Sequence, residues 1–80
     1  MKTVFVDGIP AAWDEDHLKG YVKEFGEIEK VDLARNMPGA RRRDFGFVTF
    51  DTHDNAVKCV LGINGQELVE GENKVSYVHL

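Results

Sequence analysis

Apolar and polar positions recur at two different periods along this chain of 80 residues. Thr3-Val4-Phe5-Val6 is a short β-rich run that Gly8 and Pro10 bring to an end. The period then changes. Leu18, Tyr21, Val22 and Phe25 fall at i, i+3, i+4 and i+7, the spacing of one buried helical stripe. Asp14 reads as the N-cap of that helix, with Trp13 before it and Leu18 at the fourth helical position as a hydrophobic staple. Gly20 is a mild internal defect, costing about 1 kcal/mol against alanine. Gly26 closes the helix.

Ile28 through Ala34 reads as a second strand, with Val31 and Leu33 inward and Asp32 and Ala34 outward. Asn36-Met37-Pro38-Gly39 is turn chemistry, and a third strand runs from Phe45 to Phe50. Thr52 caps a second helix whose stripe is Ala56, Cys59, Val60 and Ile63, and Asn64-Gly65 ends it. Gln66 to Val69 is a candidate short extra strand before a turn at Glu70-Gly71-Glu72-Asn73. Lys74 to Leu80 is the last strand, assigned with Val75 and Tyr77 inside and Ser76 and Val78 outward. The order is βαββαβ. Short connections and right-handed crossovers make this an α+β, ferredoxin-like sandwich: a four-stranded antiparallel sheet with both helices on one face. The other face is left open.

Length supports one domain, residues 1–80, with one small core. An apolar fraction of 42% with 30% charged residues is that of a globular protein rather than a disordered tail. No apolar run is long enough to cross a bilayer, so no membrane association is expected, and Met1-Lys2-Thr3-Val4 enters a strand pattern rather than a signal peptide. Cys59 is alone, which excludes an internal disulfide and favours a reducing compartment. The chain starts and stops almost on strands, as expected of a domain within a longer protein.

The net charge of −4 argues against a polyanionic partner, but its distribution changes the picture. Arg35, Arg41, Arg42 and Arg43 place four of the ten basic residues within nine positions. Many acids (Asp14, Glu15, Asp16, Asp51, Asp54) sit instead where helix N-termini are expected, and the helix dipole accounts for them.

The chemistry concentrates in Arg43-Asp44-Phe45-Gly46-Phe47-Val48-Thr49-Phe50. Strand alternation puts Arg43, Phe45, Phe47 and Thr49 on one face and Gly46, Val48 and Phe50 on the other. Val48 and Phe50 are ordinary core residues. Two phenylalanines on the opposite face are not, and flat rings beside a cation suit unstacked bases and their phosphates.

This octapeptide resembles the signature of the RNA recognition motif: basic-Gly-aromatic-Gly/Ala-Phe-Val-x-aromatic. It departs at one position, where Asp44 replaces glycine. Val4-Phe5-Val6-Asp7-Gly8-Ile9 resembles the same family's hexapeptide, an aromatic between two aliphatics. The resemblance covers nearly all of the chain and implies that the first and third strands are central neighbours, clustering Phe5, Phe45 and Phe47 on the open sheet. It further implies that Phe5 with Phe45 or Phe47 stacks on successive bases and that Arg43 binds a backbone phosphate. Arg41 and Arg42 are expected to assist. Asp44, beside Arg43, is expected to offset part of that charge, with Asp7 and Asp32 adding to it.

Ala34-Arg35-Asn36-Met37-Pro38 and the stretch from Asp44 to Phe50 also resemble motifs of plant heterogeneous nuclear ribonucleoproteins of the Q/R type. That implies a nuclear protein, with the cytoplasm as a further location, carrying several such domains. The expected partner is single-stranded RNA, bound by a monomeric domain, with protein partners on the helical face as an addition. The alternative is a protein-interaction module of the same fold with weak or no RNA binding; retention of all three sheet aromatics weighs against it. No enzymatic activity, cofactor or metal site is expected. Gly8-Ile9-Pro10-Ala11-Ala12 is not the anion loop of an acylphosphatase, and His17, His53 and His79 lie in three different elements. Trp13 reads as a staple rather than a base platform, and Cys59 as a small, inert core residue of the second helix.

Overall fold

A computed structural model of the chain describes residues 1–64, 75 and 77–80. Its elements are β1 (Thr3–Asp7), α1 (Glu15–Val22), β2 (Ile28–Leu33), β3 (Phe45–Phe50), α2 (His53–Asn64) and β4 (Tyr77–His79). Short 3₁₀ turns follow α1 at Lys23–Phe25 and β2 at Ala34–Asn36. All three strand pairs are antiparallel, and the sheet order is β2-β3-β1-β4. The βαββαβ sandwich expected from the pattern is the fold observed.

Each element starts where its side chains can satisfy free backbone groups. The Asp14 carboxylate accepts from the His17 N–H at 2.8 Å, and the Thr52 hydroxyl accepts from the Asn55 N–H at 3.1 Å, so both helices carry side-chain N-caps. Trp13 is buried and its ring stacks on His17 with centroids 4.4 Å apart, consistent with a staple rather than a base platform. α1 ends through the 3₁₀ turn at Gly26, whose φ of 151° is a conformation side chains rarely adopt. A Cβ there would also lie 2.4 Å from Cγ of Asn55, on α2.

The core is the helix-facing side of the sheet filled by both helical stripes. Val4, Val6, Val31, Leu33, Val48 and Phe50 meet Leu18, Val22, Ala56, Cys59 and Ile63 there, with Tyr21, Phe25, Ile28 and Val60 at its margin. Burial pushes the Cys59 thiol up to about 12, with Glu24 adding to the effect, so the group stays protonated and unreactive. A bulge in β2 between Ile28 and Lys30 lets Ile28 reach the core although Val31 and Leu33 lie on the other parity.

Two expectations fail, both at strand ends. Ala34, assigned outward, is buried, because β2 stops at Leu33 and the 3₁₀ turn tucks the methyl inward. In the last strand Tyr77 was expected inside and Val78 outside, and the structure reverses both: Val78 is fully buried and Tyr77 is 50% exposed. Val75 is buried as expected. The assigned outward Ser76, the candidate strand Gln66 to Val69 and the turn after it lie outside the described residues.

The cause of the β4 register is a side-chain clamp. β4 pairs on one side with β1, setting Val78 opposite Val6. On its other side Asn64, the last residue of α2, donates from Nδ2 to the Val78 carbonyl at 2.6 Å and accepts from the Val78 N–H at 3.1 Å. One amide thus satisfies both outward backbone groups of an edge strand, as a neighbouring strand would.

Removing that clamp should therefore be expensive for an exposed residue. Asn64→Ala is expected to destabilise by about 1–3 kcal/mol, read from the denaturant midpoint, because two part-buried backbone groups lose their partners. Phe50→Ala should cost about 3–5 kcal/mol and Phe47→Ala much less, since only the first ring is fully in the core. Equal losses in the two variants would contradict the observed β3 facing.

Candidate nucleic-acid interface

The helix-free face of the sheet is built from the residues that alternate away from the core. β3 contributes Phe45, Phe47 and Thr49; β1 contributes Thr3, Phe5 and Asp7; and the pairing places Phe5 opposite Phe47 and Asp7 opposite Phe45. Phe5 is the hub. Its ring lies 5.4 Å from Phe45 in a stacked arrangement and 5.5 Å from Phe47 edge-on, with Phe45 and Phe47 themselves 6.0 Å apart. All three rings are half-buried, as three rings that cover one another should be. Their outer faces remain open to a flat partner.

Gly46 explains how β3 can present such rings without distorting the sheet. It faces the other way, and a Cβ there would sit 2.8 Å from the Asp32 carbonyl and 3.2 Å from Ile9 Cδ1. The glycine between the two phenylalanines lets the β1–α1 loop close onto the sheet, where the Ile9 N–H donates to the Asp44 carbonyl at 2.6 Å.

The aromatic row continues beyond the three expected rings. His79 lies 4.9 Å from Phe5, and Tyr77 lies 5.6 Å from His79. These two follow from the β4 register and were missed because the reversed assignment buried Tyr77. The available signal was the spacing of two between Tyr77 and His79, the same spacing that marks Phe45 and Phe47.

The arginines separate. β3 begins at Phe45, so strand alternation does not extend to Arg43. Arg42 is the residue at the rings, with its guanidinium carbon 6.0 Å from the Phe45 centroid. It forms an ion pair with Asp7 and another with Asp44 at 3.1 Å. The hydrogen bonds it donates to Asp7 first and Asp44 second hold its already high pKa higher still. Asp44 therefore answers Arg42, where the expected neighbour was Arg43. Asp32 faces the open side opposite Phe47 and is paired with Lys30 at 3.3 Å. Among the described residues Arg41 and Arg43 make no ion pair, so their charge is not already neutralised. Arg43 instead lines a pocket with Ile9, Ala11, Arg35 and Asp44.

Among the described residues the arrangement offers stacking surface, three arginines without an ion pair (Arg35, Arg41 and Arg43) and no nucleophile–base pair. Comparison with known proteins agrees. The family model for the RNA recognition motif matches residues 4–72. Among solved structures, the chain resembles the C-terminal RNA recognition motif of the hypothetical RNA-binding protein RBM19, with a TM-score of 0.74, 24% identity, and coverage of 98% of this chain and 72% of that one. It also resembles RNA Binding Protein PG1, with a TM-score of 0.75, 20% identity, and coverage of 99% and 92%. A third match is the RNA15 RRM, with a TM-score of 0.71, 16% identity, and coverage of 96% and 83%. At these identities the structural matches establish the fold, and the family model, spanning most of the chain, establishes kinship. The chain belongs to the RNA recognition motif family, whose members bind rather than catalyse.

Proposed function

We propose that this domain binds single-stranded RNA on its open sheet face, by stacking bases on the row that runs from Phe45 and Phe47 through Phe5 toward His79 and Tyr77. The observation that carries the reading is the ring cluster itself. Three phenylalanines on a solvent-facing sheet cost solubility and contribute little to the core, whereas base–aromatic stacking is worth about 1–3 kcal/mol per base. Unstacked single strands present the π-faces this surface fits; a duplex hides them.

Within this reading the three consecutive arginines divide their work. Arg43 and Arg41, free of carboxylate partners among the described residues, take phosphates. Arg42 positions the edge of the platform, balanced by Asp7 and Asp44 rather than available to the backbone. The chain's net negative charge leaves little long-range attraction, so the domain relies on stacking and suits a protein in which several such domains share the affinity. A nuclear ribonucleoprotein of that design is the setting we favour, on the strength of the Ala34–Pro38 and Asp44–Phe50 resemblance.

Phe45→Ala and Phe47→Ala should each weaken binding of a short single-stranded oligomer by about 1–3 kcal/mol while leaving the amide spectrum folded. Tyr77→Ala should show a loss only with oligomers long enough to reach β4. Unaltered affinity in both phenylalanine variants would rule out the sheet as the RNA surface and favour the protein-interaction alternative.

Salt dependence separates the arginines. Arg43→Ala should flatten the slope of log affinity against log salt by about 0.7, the share of one phosphate contact on a single strand. Arg42→Ala should lower affinity, because it uncovers two carboxylates, yet leave that slope nearly unchanged. The measurement is a titration of each variant at four or more salt concentrations.

A further inference from the structure

The open face rests on unequal supports. All five residues of β1 pair with β3, and that ladder locks Phe5, Phe45 and Phe47. Tyr77 and His79 belong to β4, which among the described residues meets β1 only from Tyr77 to His79. Pairing over so short a stretch at a sheet edge opens easily. Both side chains are nonetheless in line with the rings: His79 lies 4.9 Å from Phe5, and Tyr77, 50% exposed, lies 5.6 Å from His79.

The second support is Asn64. Its Nδ2 donates to the Val78 carbonyl at 2.6 Å and its Oδ1 accepts from the Val78 N–H at 3.1 Å. In an antiparallel strand the N–H and C=O of one residue share an edge, and its neighbours use the other edge. Val78 therefore faces α2 with both groups, while Tyr77 and His79 turn theirs to β1. Next to Asn64 in α2, Ile63 is buried in the same core cluster as Val78, so the amide projects from an anchored turn. A strand held at both edges cannot roll about its own axis. With the Val78 side chain in the core, alternation sends Tyr77 and His79 to the open face.

We infer that Asn64 is a positioning residue for ligand binding, acting from the helical layer through β4 on a face to which it does not belong. The inference rests on the RNA-binding reading of the sheet and adds a division within it. The phenylalanine cluster, carried by the β1–β3 ladder, holds the first bases. Tyr77 and His79 extend the platform, and the extension is available only while the Asn64 amide holds Val78. Affinity for short strands is thus independent of Asn64, and the gain from a longer strand depends on it. Linkage makes the relation reciprocal: a base stacked on β4 must tighten the clamp.

The test compares a uridine dinucleotide, within reach of the phenylalanines, with a uridine tetranucleotide long enough to reach β4, on the domain as it stands. The wild type should bind the longer strand about thirtyfold tighter, within what two further stacked bases supply. Asn64→Ala should keep the dinucleotide affinity and cut that gain to about threefold, the statistical advantage of extra registers on the phenylalanine cluster. Asn64→Asp, which keeps the size and the acceptor but sets an oxygen against the Val78 carbonyl, should do the same. Thr52→Ala removes the α2 cap and also weakens the fold, yet should leave the gain intact, because a general loss of stability does not single out β4. In the wild type at saturation, the tetranucleotide should slow hydrogen exchange at the Val78 N–H about tenfold more than the dinucleotide does.

The full gain in either Asn64 variant, an equal loss of it in Thr52→Ala, or Val78 exchange that ignores strand length would each overturn the role of Asn64. The exchange readout uses the wild type and so decides the matter even where a variant does not fold. Dinucleotide binding at Phe5 and Phe47 with any of those results sinks this inference and leaves the sheet reading standing. A dinucleotide and tetranucleotide that both leave Phe5 and Phe47 unmoved in the wild type sink the sheet reading and this inference with it.

Discussion

The pairing of β1 with β3 is the constraint on which the rest of the molecule depends. It sets Val4 opposite Val48 on one face and Phe5 opposite Phe47 on the other. Because side chains alternate with a period of two, this single register both closes the core and assembles the ring cluster. A slip of one residue would bury polar groups and scatter the rings at once. Stability of the helix-facing side therefore guarantees the geometry of the open side, and the ring cluster needs no separate scaffold. Gly46 belongs to the same constraint: its missing side chain lets Ile9 approach β3 between the two phenylalanines.

Electrostatics around that face are more local than the net charge implies. Arg42 is held by Asp7 and Asp44 against the edge of Phe45, so one of three consecutive arginines is spent inside the protein. At the exposure of these groups the ion pairs contribute little to stability. Their effect is positional: among the described residues they fix which of the arginines stay unpaired. Asp44, an anomaly when read as a replacement for glycine, becomes a partner that both balances Arg42 and keeps an acceptor free.

The far edge of the sheet shows a different economy. Among the described residues β4 spans Tyr77–His79, and pairing over so short a stretch holds its register weakly. Asn64 supplies the missing partner from the end of α2, tying the second helix to the edge of the aromatic face. Through it, the helical layer reaches the open side of the sheet: the orientation of Tyr77 and His79 depends on an amide that belongs to α2.

Local pattern was enough for most of this. The i, i+3, i+4, i+7 stripes, the Asp14 and Thr52 caps, the Gly26 stop and the strict alternation from Phe45 to Phe50 are written in neighbouring residues, and short-range sterics and burial act on them directly. So is the outward facing of Phe5, Phe45 and Phe47. What tertiary structure alone decided were the features whose causes lie far away in the chain. The facing of β4 comes from Asn64 and from Val6, and the burial of Ala34 from where β2 happens to end. Arg42 rather than Arg43 meets the rings because Asp7, 35 residues earlier, is brought beside it by the β1–β3 pairing. A periodic sequence reports which face a residue belongs to; which partner it meets is settled by contacts that the sequence does not place side by side.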